Sequence, residues 1–417
     1  MLPKLQPNQV AFSAALIISI YSATLHAEFF NDAKGTLNLR NYYLGRDYDH
    51  GGTRGKAEEW TQSFILNLKS GFTEGPIGFG VDILGLWSIK LDGGRGTYGT
   101  QLLPVHRGNK PADEFGRLGI AFKARYSNTE FKGGEWNPIL PILSSDDGRG
   151  LTQTFRGGML TSKEFKDLTI YAGQMHKTSP RNDASMQRMS IDGISGGHSD
   201  RFNFGGAEYS FNEGRTMVSA WFAQLKNLYK QRYFEIRHTQ PLAQGVSLSS
   251  KLGLFDGEED GDARAGDLDN KTFFGVFALK MGAHTFTGAY QKLTGKDRWL
   301  QVNGTSADPL PNDVYAGPFN NPKEESWQIR HDYDFAAWGI PGLNFMTRYI
   351  DGRNVHRDGA TNGETWSREN ELRYVFQSGA LKNLSIRLRN STKRANWGTN
   401  TSWNENRVVI NYPISLF

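Results

Sequence analysis

The sequence predicts an all-β protein: a transmembrane antiparallel β-barrel of about eighteen strands with its third extracellular loop folded inward. Three observations predict it. Apolar residues recur at every second position along most of the chain, connectors alternate between short and long, and an export leader is followed by no helical membrane span.

Residues 1–27 read as a signal peptide. Lys4 is the only charge before a mostly apolar run from Val10 to Ile20, small residues follow, and Ala27 suits the last position before a cut, although Leu25 is larger than the small residue usual there. The apolar run is too short to span a bilayer as a helix, and no later run approaches the ~18 residues that a spanning helix needs. Residues 28–417 then form one outer-membrane barrel domain, since no linker or low-complexity segment divides them.

The alternation is plain from Arg117 to Ser127. Leu118, Ile120, Phe122, Ala124 and Tyr126 share one face, and Arg117, Lys123, Arg125 and Ser127 the other. Glu371 to Phe376 and Ser385 to Arg389 repeat it. About eighteen such segments begin near Thr36, Trp60, Ile77, Phe115, Thr129, Gly157, Leu168, Arg201, Arg215, Tyr229, Val246, Thr272, His284, Ser326, Leu343, Trp366, Leu384 and Glu405. Short connectors such as Asn212-Glu213-Gly214, Gly282-Ala283 and Ser378-Gly379-Ala380 contrast with the long ones Asp92 to Glu114, Trp136 to Phe155, Lys177 to Asp200, Asp256 to Asn270 and Gly295 to Glu325. Short turns on one side and long loops on the other distinguish a membrane barrel from a soluble sandwich. The last strand ends on Phe417, out of phase with its apolar set and interrupted by Pro413. Tyr42, Tyr43, Trp60, Trp87, Trp221, Tyr233, Trp338 and Tyr349 are candidates for the aromatic girdles at the headgroup boundaries.

Composition narrows the function. With 48 basic and 43 acidic residues the net charge of +5 is too small to mark a nucleic-acid binder, and the absence of Cys removes disulfides and thiolate metal sites. No nucleophile elbow, zinc-protease helix or phosphate loop is present, and loop histidines such as His106, His198 and His356 are scattered. Asp256-Gly-Glu258-Glu-Asp260-Gly261 with Asp267 partly mimics a calcium loop, but Asp stands at the twelfth position and strands flank it, so a solvated acidic loop fits better. No cofactor is expected.

The informative charges are those on lumen-facing parity: Arg40, Lys123, Arg125, Arg373, Arg387, Arg389 and Arg407. They come from strands near both chain ends, which meet when a barrel closes, and would form a basic strip that passes an anion from one cation to the next. Glu369, Glu371 and Glu405 could balance it, leaving the bland alternative of a merely polar lumen. The loop Trp136 to Arg156 holds Pro138, Pro141 and the apolar Ile139, Leu140, Ile142 and Leu143, which are out of place in water. Folded inward, it would set Asp146, Asp147 and Arg149 against each other across a constriction.

These stretches resemble the OprD family of outer-membrane carboxylate channels over nearly the whole length. The resemblance is carried by Leu37-Asn-Leu-Arg40-Asn-Tyr-Tyr43 with Arg46-Asp-Tyr48, Ser144-Ser-Asp-Asp-Gly-Arg149 with Gln153-Thr-Phe-Arg-Gly157, and Phe255-Asp-Gly with Asp262-Ala-Arg-Ala-Gly266. Ser326-Trp-Gln-Ile-Arg330 with Tyr333-Asp-Phe335, and Leu381-Lys-Asn-Leu-Ser-Ile-Arg387-Leu-Arg389, complete it. It implies an eighteen-stranded, monomeric pore, with a loose trimer left open. It also implies an inward third loop bearing the constriction residue Arg149, and an arginine ladder through Arg387, Arg389 and Arg407. The Asp146-Asp147 pair looks more like the subgroup that favours cyclic or aromatic carboxylates. The expected partners are small carboxylate solutes with outer-membrane lipid and lipopolysaccharide, and the expected location is the bacterial outer membrane. A general diffusion porin with weak anion preference and an outer-membrane hydrolase are the competing readings.

Overall fold

A computed structural model describes residues 27–49 and 55–417. The expected leader, apart from Ala27, lies outside the described residues. A short helix, Ala27–Asn31, leads into eighteen strands. They are β1 (Lys34–Tyr48), β2 (Lys56–Lys69), β3 (Gly78–Asp92), β4 (Glu114–Tyr126), β5 (Thr129–Trp136), β6 (Thr154–Ser162), β7 (Leu168–Ser179), β8 (Phe202–Phe211) and β9 (Thr216–Leu225). There follow β10 (Tyr229–Ala243), β11 (Val246–Glu259), β12 (Asp269–Met281), β13 (His284–Gly295), β14 (Glu325–Asp334), β15 (Leu343–Arg357), β16 (Ala360–Val375), β17 (Ser385–Ala395) and β18 (Trp403–Ser415).

Each strand pairs antiparallel with the next, and β1 pairs with β18 to close the sheet. In that closing register Arg40 faces Asn411 and Leu44 faces Arg407. All eighteen expected segments are strands. Thr129, Leu168, Tyr229, Val246, His284 and Leu343 begin them at the expected residue, and the largest difference is β16, which starts at Ala360 rather than near Trp366. Both described chain ends lie with the short turns, the side that faces the periplasm in barrels of this architecture. The opposite side carries the connectors 49–55, 93–113, 137–153, 180–201, 226–228, 260–268, 296–324, 358–359 and 396–402. The fifth and eighth of these are short, so the length asymmetry holds for the barrel and not for each hairpin.

Alternation decides which face each residue takes. Leu118, Ile120 and Phe122 point outward and are exposed, while Ala121 and Lys123 on the alternate positions are buried inside. Among the girdle candidates Trp60, Trp87 and Trp338 are exposed on the outer surface, and the indole N–H groups of Trp60 and Trp87 reach Asn41 Oδ1 (2.8 Å) and Glu114 Oε2 (3.1 Å). Tyr42, Trp221 and Tyr233 are corrections: their strand parity turns them inside, where they are buried. The ring of the terminal Phe417 lies over Gly35 at the seam between the two chain ends.

The interior is lopsided. Inner side chains of β7 to β12 form a large apolar cluster that includes Met175, Phe204, Trp221, Tyr233, Phe255 and Phe274. Leu140, Ile142 and Leu143 of the third loop and Trp299, Leu300, Val302 and Leu310 of the seventh pack into it. This accounts for three of the four apolar residues that looked misplaced in the third loop; Ile139 stays 73% exposed. Glycine makes the cluster thin against the wall. A Cβ on Gly206 would sit 2.2 Å from the Trp221 ring, and one on Gly253 equally close to Phe274.

Gly206→Val should therefore lift Trp221 off the wall and cost about 1–3 kcal/mol, the usual range for overpacking. Urea unfolding of the barrel in lipid vesicles measures this; unaltered stability would show that the ring does not need the bare backbone beneath it.

Candidate functional site

The opposite wall, built from β14 to β18 and β1, is charged. Its inner register runs through one row of Arg46, Glu405, Ser391, Glu369, Arg348 and Arg330, and a second of Leu44, Arg407, Arg389 and Glu371. Arg387 faces Arg373 in a third row. Strand alternation alone places these groups inside, since Val408, Leu388 and Leu372 between them point outward.

The inward-facing Glu369, Glu371 and Glu405 of this wall all hold arginine. Glu405 accepts from Arg46 (2.7 Å) and Arg407 (2.6 Å), and Glu405 and Arg407 are buried. Glu371 takes Arg389 (2.5 Å) and Arg387 (3.3 Å), and Glu369 takes Arg348 (2.7 Å). Arg330 makes a bidentate pair with Asp332 (2.7 and 2.6 Å). Arg373 has no acid within ion-pairing distance among the described residues.

The seventh loop crosses this wall. The hydroxyl of Tyr315 lies 2.8 Å from Asn370 O and 3.1 Å from Asn390 O. Arg389, Arg348 and Arg407 surround its ring at 4.7, 5.2 and 5.3 Å from the centroid. Ala316 donates its N–H to Glu369 Oε1 (2.8 Å), and Arg407 donates to the Tyr315 carbonyl.

The third loop packs against inner side chains of β1. Arg40 forms a bidentate pair with Asp147 (2.8 and 3.0 Å) and also donates to Arg149 O (2.8 Å), while Tyr42 donates to Gly148 O (3.0 Å). Asp146 pairs with Arg181 of the fourth loop. Arg149 is buried and donates to Thr100 O and Gly148 O, both at 2.8 Å. Burial and the neighbouring Arg181 and Arg407 cations all work against its charge, and it forms no ion pair among the described residues. The expected opposition of Asp146 and Asp147 to Arg149 is thus corrected. The two acids are taken by Arg181 and Arg40, because adjacent loop residues splay to different walls.

The seven expected ladder cations split into two groups. Arg40, Arg373, Arg387, Arg389 and Arg407 share the wall around the closing seam. Lys123 and Arg125 do not join them, because β2 and β3 intervene with the inner apolar Ile65, Leu84 and Leu86. Lys123 pairs with Asp82 (2.7 Å), and Arg125 lies over the Phe72 ring at 4.2 Å. Sequence reasoning missed Arg46, Arg330, Arg348, Arg181 and Tyr315. Arg46 shares the parity of Arg40 and could have been found; Tyr315 lies in a loop with no period to read. In the acidic stretch near Asp256, Arg232 engages Asp256 (3.1 Å) and Glu258 (3.4 Å).

Two cavities flank Tyr315. The outer, about 1130 Å³, lies among the loops and is lined by Arg46, Asp146, Asp147, Arg149, Arg181, Asp313, Arg389 and Arg407. The inner, about 370 Å³, lies toward the short turns and is lined by Arg330, Asp332, Asn344, Met346, Arg348, Glu371, Arg373 and Arg389.

A closed barrel with an apolar outer band and a charged interior defines the class: a β-barrel protein of the bacterial outer membrane. The chain belongs to the OprD family of outer membrane porins, whose model matches residues 27–416. It is 53% identical to the porin-like protein GalP of Pseudomonas putida, over 96% of this chain and 97% of that one. Its structure is similar to a BenF-like porin from Pseudomonas fluorescens Pf-5 (56% identity, TM-score 0.92) and to OccK2 of Pseudomonas aeruginosa in complex with glucuronate (50%, 0.87). Each comparison covers 93% of this chain and 100% of the other.

Two outcomes follow from the charges. Glu405→Gln leaves Arg46 and the buried Arg407 without their acid and should destabilise the barrel by about 3–5 kcal/mol, as breaking buried pairs does; thermal melting in detergent would reveal a smaller role if the midpoint does not move. Asp313, on the outer cavity wall, accepts from Ala307 N (2.7 Å) and Ser306 Oγ (3.2 Å). Burial, with Asp146 and Asp308 nearby, pushes its carboxyl up to about 6. A raised carboxyl favours the neutral form, so the fold loses stability as pH rises from the ordinary range near ~4 to that value. The same titration adds a negative charge to the cavity, so anion preference should fall between pH 5 and 7. Reversal potentials across a salt gradient test this, and Asp313→Asn should flatten the dependence.

Proposed function

We propose that this porin admits small carboxylate-bearing nutrients, cyclic and aromatic acids among them, along the arginines of its charged wall. The carrying observation is that two cavity-lining guanidiniums, Arg149 and Arg373, form no ion pair among the described residues. An uncompensated cation beside a pore lowers the barrier to an anion, and a guanidinium fork matches a carboxylate with two hydrogen bonds. The glucuronate complex of OccK2 supports a carboxylate as the solute class.

In this reading the third loop, held by Arg40 and Tyr42, narrows the pore, with Asp146, Asp147 and Arg149 around the narrow part. Arg40, Arg407, Arg389, Arg387 and Arg373 then form the path, and Lys123 and Arg125, on β4, stand to one side of it. Residues 1–27 act as the leader removed on export. The barrel works as a monomeric pore in contact with outer-membrane lipid and lipopolysaccharide.

Liposome swelling tests the path. Arg387→Ala with Arg389→Ala should slow carboxylate influx while leaving neutral sugars nearly unaffected. Arg389→Lys should lie between parent and Arg389→Ala, because lysine keeps the charge and loses the fork. An equal fall for carboxylates and sugars would make these arginines structural and favour a general diffusion pore.

A further inference from the structure

Among the described residues Tyr315 and Arg389 are the two that line both cavities. We propose that the Tyr315 side chain is a movable septum between an outer and an inner anion compartment, so that a solute advances only when the phenol leaves Asn370 and Asn390. The inference rests on the anion pathway proposed above, but its test does not depend on that pathway's substrate.

The peptide that follows Tyr315 is pinned at both its carbonyl and its N–H. Arg407 holds the Tyr315 carbonyl, and Glu369 holds the next N–H. The peptide therefore stays while the side chain can turn. The latch that keeps it across the path is slight. A phenol carries one proton, so the contacts to Asn370 O and Asn390 O amount to a single shared hydrogen bond. Asn370 and Asn390 face each other in the register of β16 and β17, so the latch is seated on rigid wall.

The surroundings favour exchange between ring and anion. Three guanidiniums lie within 5.3 Å of the ring centroid, where they gain from its negative face. An arriving carboxylate offers Arg389 and Arg407 a stronger partner and removes part of what holds the ring. Beyond the ring, Arg330, Arg348 and the unpaired Arg373 line the inner compartment. The inner compartment is about a third the volume of the outer, so a solute that passes the ring enters the smaller space.

The test uses the full barrel in planar bilayers with potassium chloride, and vesicle uptake of acetate, glucuronate and the neutral sugar glucose. Folding of each variant is checked by heat-shifted gel mobility. Tyr315→Phe removes the latch and keeps the ring, so the open fraction should rise roughly fivefold, the equivalent of one net hydrogen bond. Tyr315→Ala removes the septum: chloride conductance should rise, and uptake of the bulkier glucuronate should gain on acetate. Chloride conductance and gating equal to the parent in both folded variants would overturn the proposal. A rise in chloride conductance without any preference for carboxylates over neutral sugars would uphold the septum and refute the carboxylate pathway.

Discussion

Every backbone N–H and C=O that crosses the hydrocarbon must find a partner within the protein, because no water is there to replace one. A sheet meets this demand only by closing on itself, and here the closure joins β1 to β18. The consequence reaches well beyond the seam. Arg40 and Asn411, 371 positions apart in the chain, become hydrogen-bonded neighbours at 2.9 Å. Closure also fixes the parity of every strand at once, since a one-residue slip anywhere would send arginines into lipid and leucines into the lumen.

With parity fixed, the two halves of the interior solve different problems. The β7 to β12 half is filled with aromatic and aliphatic side chains, and glycines such as Gly206 and Gly253 let rings lie flat on the backbone. That packing gives the third and seventh loops an apolar anchor on one side. Their other side meets the charged wall, where Arg40 and Glu369 hold Asp147 and Ala316. Each loop is therefore stretched between an oily wall and an ionic one. Burying ions is costly, and one acid shared between two arginines, as with Glu405 and Glu371, satisfies more hydrogen bonds than isolated pairs would.

The strand order and faces were legible because membrane strands carry a strict period of two, and the expected starts at Thr129, Leu168, Tyr229 and Val246 coincide with the observed ones. Where strands rise above the bilayer the lipid-facing requirement lapses and so does the signal, which is why β16 begins at Ala360, before its first outward tryptophan at 366. Inner faces were harder. Arg348 alternates with Met346 and Ile350, which are also buried inside, so polarity alone does not mark that face as the lumen. Trp221 and Tyr233 resembled girdle residues for the same reason. Loop residues have no period at all: nothing local says that Arg149 turns to the Thr100 carbonyl rather than to Asp146, or that Tyr315 reaches across to β16 and β17.

The pairing pattern bears on how a pore can attract an anion without trapping it. A bare row of guanidiniums would bind carboxylates tightly and release them slowly. On this wall most forks are already partly engaged: Arg389 gives its Nε to Glu371, Arg407 its Nε to Glu405, and Arg348 its Nε to Glu369. In the proposed pathway an incoming carboxylate competes with a carboxylate the protein already holds, so the net gain at each step is the difference between two similar interactions. The glutamates set that difference as much as the arginines do. In that pathway Arg149 and Arg373, which form no ion pair among the described residues, would be the places where a carboxylate meets no such competitor, one in each cavity. In the proposed pathway these two sites would be spaced apart and separated by already engaged forks, an arrangement that favours movement from one to the next over residence at either.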